Sequence, residues 1–399
     1  MAESSILLNH HLAQTTMYPI GTEISHAKGL YIYDTQGKAY MDMVCGIGVS
    51  NWGHGNERVN AAIKAQVDRH LHVMVYGEFV QSAQVLAAQR LIDLMPAPLD
   101  TCYFVNSGTE AIEAALKLAK RVTGRTQLMA ISGSYHGNTH GSMSVSHNET
   151  KKSAFRPLLP DVGFLNYHDL EDLHRIDQRT ACVLIETVQG DAGVRLHSPE
   201  YMQALRARCT EVGALLILDE IQCGLGRTGS VHAFEAKGIV PDVLVLGKSL
   251  AGGMPVGCVV AARSHMQQFT HSPMLGHIST FAGHPVICAA VAANLEDYRI
   301  RLAEANVEGK GHYITEFFQA HPVIEGMRRE GLMLAFDFPS IDHVNRTLDH
   351  CMDHGFIAFR FLSRPNSIRW APPLNITMEE LEKACRIFWQ CAEDPSAAM

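Results

Sequence analysis

Ala214-Leu215-Leu216-Ile217-Leu218-Asp219-Glu220-Ile221-Gln222 is a continuous apolar run that ends on two acids. A run this short and without polar alternation reads as a strand buried on both faces, as in a parallel sheet covered by helices. A carboxylate at the end of such a strand is costly unless a cation or strong donor meets it. An arginine, a metal ion or a protonated pyridine nitrogen would each serve.

Working outward, similar runs recur at Cys102 to Val105, Gln127 to Ile131, Cys182 to Glu186, Val243 to Leu246 and Val256 to Ala262, with helical stretches between them. The alternation predicts an α/β fold with a mostly parallel central sheet, its ligands at the carboxyl ends of the strands. After about residue 284 a long helical run gives way to strands at Met333 to Phe338, Ile357 to Phe361 and Ser367 to Ala371, then a helix from Met378 to Cys391. The expected division is a large domain over residues 45–283 and a smaller α+β lobe from residues 1–44 and 284–399, with Leu30 to Tyr33 and Ala39 to Val44 as its first strands.

Two strand-end segments carry chemistry. In Asn106-Ser107-Gly108-Thr109-Glu110-Ala111, Ser107 and Glu110 form a capping box that starts the helix Ala111 to Arg121. The Ser107 and Thr109 hydroxyls and the Gly108 amide stand where unpaired first-turn amides hold a phosphate. Beyond the strand 243–246, Gly247-Lys248-Ser249 places a lysine among small residues. A lysine desolvated there has a lowered pKa and attacks aldehydes. The same tripeptide resembles the end of a phosphate-binding P-loop, but Asp242 stands where that motif needs its first glycine. Gly224-Leu225-Gly226-Arg227-Thr228-Gly229 matches G-x-G-x-x-G with Asp242 beyond it, which keeps a dinucleotide site open as a competitor. His136 and His140 have zinc-ligand spacing, but Gly133, Gly137 and Gly141 bracket them and predict a loop.

The formal charge of −8, with no basic block, disfavours nucleic acid and anionic lipid as partners. The ten cysteines form no Cys-x-x-Cys pair and read as free thiols of a cytoplasmic protein. No apolar stretch approaches the roughly 20 residues that span a bilayer, and Met1 to Gln14 lacks a signal-peptide pattern.

Taken in order, Asn106 to Ala111, Ser134-Tyr135-His136-Gly137, Glu186-Thr187-Val188-Gln189-Gly190, Asp219 to Gln222, Gly247-Lys248, Ser279-Thr280-Phe281 and Ile368-Arg369-Trp370-Ala371-Pro372-Pro373 resemble the class III pyridoxal-phosphate aminotransferases, the group of the ornithine, acetylornithine and 4-aminobutyrate enzymes. The resemblance covers the chain from about Gly29 onward and implies fold type I, pyridoxal 5′-phosphate as cofactor, and a ping-pong exchange between an amino acid or amine and an oxo acid. It makes Lys248 the Schiff-base nucleophile and acid/base, and Asp219 the acceptor of the pyridinium N–H. Ser107, Gly108 and Thr109 would bind the phosphate, Tyr135 would stack on the ring, and Gln222 would lie near its phenolic oxygen. His136 and Glu186 fall in cofactor-contacting motifs. Thr280 would reach the phosphate of a neighbouring subunit in a homodimer with shared sites.

Arg369 matches the arginine for the substrate α-carboxylate, and Asp191 stands where the family's gating glutamate does. Asn138 replaces the arginine that ornithine- and acetylornithine-type members carry. A racemase or decarboxylase of the same fold and an NAD-dependent oxidoreductase are the competing functions.

Overall fold

The protein was analysed as a computed structural model, which describes residues 10–393. Residues 1–9 of the expected N-terminal segment and 394–399 of the expected C-terminal lobe lie outside the described residues. The described chain opens with β1 (Ile24–Lys28), β2 (Tyr31–Asp34) and β3 (Ala39–Asp42). Its middle contributes β4 (Thr101–Val105), β5 (Gln127–Ile131), β6 (Val162–Leu165), β7 (Thr180–Glu186), a two-residue hairpin of β8 (Val188–Gln189) with β9 (Arg195–Leu196), then β10 (Leu215–Asp219), β11 (Val243–Gly247) and β12 (Gly257–Ala261). The last third adds β13 (Gly326–Glu330), β14 (Met333–Asp337), β15 (Phe356–Ile357), β16 (Phe359–Arg360) and β17 (Ser367–Trp370).

Seven strands form the central sheet in the order β4-β12-β11-β10-β7-β5-β6, with β12 alone running antiparallel to its neighbours. The expected α/β fold with a mostly parallel sheet is what the chain adopts. Alternate residues of each strand enter opposite cores: Leu128, Leu184, Ile217 and Val245 one, Met129, Val183, Leu216 and Leu244 the other. Helix α1 (Gly108–Thr123) covers the first face with Ala111, Ile112, Ala115 and Leu118, and α2 (Pro199–Val212) covers the second with Tyr201, Met202 and Leu205. Both helices end on a left-handed glycine, Gly124 and Gly213, where other residues would be strained.

Near the ends of the chain, β15 pairs with β3 and so joins the sheet β1-β2-β3-β15, while β13-β14-β17-β16 forms a separate antiparallel sheet. The segment Ile357 to Phe361, read from sequence as one strand, is therefore split between two sheets around Ala358. Helix α3 (Pro285–Arg301) packs back on the large sheet's side of the molecule: Arg90 donates to Ala292 O at 2.6 Å and Arg58 pairs with Asp297 at 3.1 Å. Among the described residues no helix is long and apolar enough to cross a membrane.

Candidate active site

The parallel strands β7, β10 and β11 end side by side, with Asp219 in register with Glu186 on one side and Val245 on the other. Beyond these ends lies a cavity of about 280 Å³ whose lining includes Gly108, Thr109, Tyr135, His136, Asn138, Glu186, Val188, Asp219, Gln222, Cys223 and Lys248. Eight of the expected site residues thus meet in one cavity. Ser107, Thr280, Arg369 and Asp191 do not line it.

The two acids of the opening stretch turn opposite ways. Asp219 faces the cavity, accepting the Ile221 amide on Oδ1 at 3.0 Å and His136 Nδ1 on Oδ2 at 2.7 Å. Because a carboxylate is an acceptor, the Nδ1–H of His136 must point at Asp219, which fixes the tautomer. His136 Nε2 is buried and has no partner among the described residues. Glu220 turns away and caps a loop, accepting Ala233 N and Phe234 N at 2.8 Å and the Thr187 hydroxyl at 2.9 Å. Burial pushes its carboxyl up to about 7 against those bonds. Glu186 binds the amides of Tyr135 and Gly190, both at 3.0 Å, tying two cavity loops together, and burial raises it likewise to about 7.

Lys248 follows β11 with a left-handed backbone (φ 43°), a conformation that costs about 1–3 kcal/mol in a non-glycine residue and holds its side chain at the cavity floor. Burial lowers its pKa; Asp219 and Glu186 oppose that fall and Arg369 adds to it. Its amine is therefore easier to free of its proton than an exposed lysine's.

Helix α1 begins at Gly108, so the first-turn amides of Gly108 and Thr109, which have no acceptor within the helix, also border the cavity. Only half of the expected capping box forms. Ser107 Oγ accepts the Glu110 amide at 3.3 Å, but the Glu110 carboxylate reaches past Ser107 to Asn106 N at 2.8 Å and Asn106 Nδ2 at 2.9 Å. The Ser107 hydroxyl is used as a cap. Thr109 Oγ1 lies in a hydroxyl chain, 2.7 Å from Thr139 Oγ1 and 2.6 Å from Ser142 Oγ, that ends on Glu113. Gly137 makes this approach possible, since a Cβ there would overlap the Thr109 hydroxyl.

Asp219 retains acceptor positions beyond its two bonds, and the same cavity is lined by the unpaired first-turn amides of α1 and by the Lys248 side chain. That donor set fits a planar group with a basic ring nitrogen, an aldehyde and a phosphate. Pyridoxal phosphate has all three.

Outside the cavity, Arg369 on β17 is buried, its guanidinium 4.7 Å over the Phe361 ring and 3.8 Å from Asp191. Asp191 is bound more closely by Lys151 Nζ at 2.8 Å and Ser363 Oγ at 2.6 Å. Burial alone would raise the Asp191 carboxyl, but Lys151, Ser363 and Arg369 outweigh it and hold it below the usual range. Lys151 and Ser363 were not anticipated from sequence. They lie 40 and 172 positions from Asp191, and no local pattern connects them.

The dinucleotide reading is overturned. Residues 221–232 form turns with no helix start, and Arg227 in the middle of the glycine motif is buried, donating to the carbonyls of Leu332 and Pro372 at 3.1 and 2.6 Å and to Asn51 Oδ1 at 2.6 Å. Its glycines serve packing, since a Cβ on Gly226 would overlap Leu302 and Leu374. Asp242 is engaged with Arg206 and the Leu216 amide. The loop reading of the histidines holds for His136, whereas His140 opens a short helix, His140–Val145.

The comparisons with known proteins agree with this geometry. The family model described as Aminotransferase class-III matches residues 13–392. The chain is 35% identical over 388 residues to the acetylornithine aminotransferase of Methanopyrus kandleri, covering 96% of this chain and 97% of that protein. It is 36% identical over 374 residues to the acetylornithine aminotransferase of Bacillus subtilis, covering 91% and 92%. The solved ornithine aminotransferase of Toxoplasma gondii superposes with a TM-score of 0.89 at 26% identity, covering 97% of this chain and 93% of that one.

Proposed function

Because the chain belongs to the class-III aminotransferase family, and is thus a pyridoxal-phosphate-dependent aminotransferase rather than an oxidoreductase, racemase or decarboxylase, we propose that Lys248 anchors the cofactor and Asp219 tunes it. The observation that carries this reading is the convergence of Lys248, Asp219 and the first turn of α1 on one cavity from neighbouring strand ends. Bound there, pyridoxal phosphate supplies an aldehyde that condenses with amines and a protonated ring that draws electrons from the carbon bearing them. Lys248 would hold the aldehyde, and its freed amine would be the group that moves a proton at the substrate carbon. Asp219 accepts the ring N–H, with His136 and the Ile221 amide keeping its carboxylate in orientation.

The Gly108 and Thr109 amides receive the phosphate, and Ser107 supports them as the cap. Tyr135 supplies the aromatic wall, Gln222 and Glu186 border the polar side of the cavity, and Arg369 offers its planar fork to the substrate carboxylate. Reduction of the yellow holoenzyme with borohydride followed by peptide mass analysis tests the anchor. A reduced pyridoxyl adduct on Lys248 is expected, and an adduct elsewhere, or none, would overturn the assignment.

For the substrate we propose an amino acid and a 2-oxo acid, as in the relatives named acetylornithine aminotransferase, with a neutral amide, Asn138, where the family resemblance places an arginine. That change weakens the hold on a second carboxylate, because a charge-assisted bond becomes a neutral one. A homodimer is supported by the exposed apolar groups Leu71, Val73, Phe79, Val80, Met274 and Phe281, with Thr280, also exposed, next to Phe281 in the chain. Ten free cysteines support a reducing, cytoplasmic location. We propose the domain division expected from sequence, a large domain over residues 45–283 and a smaller lobe from the two chain ends, with α3 between them.

A further inference from the structure

The corner that holds Asp191 has more positive charge than it uses. Among the described residues the Arg369 guanidinium makes a single hydrogen bond, from Nη2 to the Arg360 carbonyl at 3.3 Å, and its buried Nε has no partner. Asp191 would be its natural counterion, yet both short contacts to Asp191 fall on Oδ2, from Lys151 and Ser363, leaving Oδ1 at 3.8 Å from Arg369. That distance is an ion pair without a hydrogen bond. Other cations nearby are already matched: Arg328 and Arg364 both bind Asp337, and Lys152 donates to the Ser146 carbonyl. Two cations therefore share one carboxylate, and the cation left short of acceptors is Arg369.

We infer that Lys151 and Ser363 latch Asp191 away from Arg369, reserving that guanidinium for a substrate carboxylate, so that the enzyme selects amino acids over uncarboxylated amines in both half-reactions. The proposal rests on the reading of Arg369 given above and adds a positioning role for Lys151, which acts through Asp191. A carboxylate that swings freely onto the arginine lets one site accept carboxylated and uncarboxylated ends in turn. Here Asp191 is one methylene shorter than glutamate and is held on its far oxygen, so an incoming carboxylate need not displace it. A plain amine would leave Arg369 with only the 3.8 Å ion pair to Asp191 and no hydrogen-bonded anion, a poorer match for a buried guanidinium than a bound carboxylate. Lys151 also lies 5.3 Å over the Tyr135 ring, so its ammonium is positioned from a second side.

The test uses the holoenzyme and two simple probes, butanoate and butylamine, titrated while the cofactor absorption band is read. Lys151→Met frees Asp191 to close on Arg369, and the dissociation constant for butanoate should rise about tenfold, the loss expected when a charged hydrogen-bonding group acquires a competitor. Butylamine binding should stay level or tighten. The double variant Lys151→Met/Asp191→Asn, which removes the freed competitor, should recover most of the butanoate affinity. Steady-state turnover of the amino-acid substrate should follow in KM with kcat little changed.

Unchanged butanoate binding in Lys151→Met, or no recovery in the double variant, would overturn the inference, since Lys151 would then be irrelevant or a direct ligand. An unaltered cofactor spectrum and melting temperature show that each variant is folded and loaded. A protein that takes up no cofactor, or forms no adduct at Lys248, would instead break the reading on which the inference rests.

Discussion

The back wall of the cavity and the corner around Arg369 are built in different ways. Asp219, Glu186 and Lys248 stand on the ends of three adjacent strands, and the two acids are held by backbone amides and by His136. The corner is assembled from side chains on remote segments: Lys151 in the short helix Glu149–Lys152, Asp191 in a hairpin turn, Ser363 and Arg369 near the end of the chain. Strand ends cannot move without breaking the sheet, whereas the corner is exchangeable residue by residue. On the roles proposed above, the difference teaches that the reaction is fixed by the central sheet, and the choice of substrate by pieces that this sheet does not constrain.

The sharpest way to break this division is at the back wall. Lys248→Ala should lower kcat by about 10⁴-fold or more, since general acid–base catalysis alone reaches that size. Single-turnover assays with excess cofactor would check it, and a variant retaining a tenth of the activity would remove Lys248 from the chemistry. Asp219→Asn keeps the shape but offers an amide to the ring nitrogen, and kcat should fall about 10²–10³-fold, the scale of a lost preorganised charge contact.

Its neighbour should behave in the opposite way. Glu220→Gln places an amide N–H₂ against the Ala233 or Phe234 amide and should cost about 1–3 kcal/mol of stability, with kcat per folded molecule unchanged. Denaturant melts beside active-site titration measure both. A fall in kcat without a fall in stability would show that the two acids are not divided between chemistry and folding.

The strands legible in the sequence were those with continuous apolar runs, because burial on both faces leaves that signature. Three were missed. β1 (Ile24–Lys28) and β13 (Gly326–Glu330) are mixed in polarity and exposed or half-buried, and β6 (Val162–Leu165) sits at a sheet edge with a glycine inside it. In the site, Asp219, Lys248 and Gly108 were readable from their places at strand ends and a helix start. The His136–Asp219 bond spans 83 positions and the Asp191–Ser363 bond 172, and pairings of that separation leave no periodicity to read. The capping box was read only in part, because an acid three residues after a cap can reach either the cap's own amide or the one before it, and Glu110 passes Ser107 by to reach Asn106.

The smallest effect sharpens the comparison from the corner's side, where support comes from Asp337. Arg328 and Arg364 both clamp this carboxylate, Ser367 donates to it, and Arg328 Nε also holds the Gly193 carbonyl at 2.6 Å, in the turn that carries Asp191. Burial acts to raise the Asp337 carboxyl, but the two arginines and Ser367 outweigh it and hold it at about 2. A carboxyl whose folded pKa lies below its unfolded value near 3.8 stabilises the fold above that value, and the contribution is lost as pH falls toward 2. Solvent screening of this partly exposed cluster reduces the contribution to about 1 kcal/mol. Wild type should therefore exceed Asp337→Asn in stability by about that amount at pH 6, and the gap should narrow progressively through pH 4 to 3. Urea unfolding at fixed protein concentration across that range measures it. A gap that stays constant with pH would mean that the arginines fix the Gly193 turn by geometry alone, and that the corner is as rigidly built as the back wall.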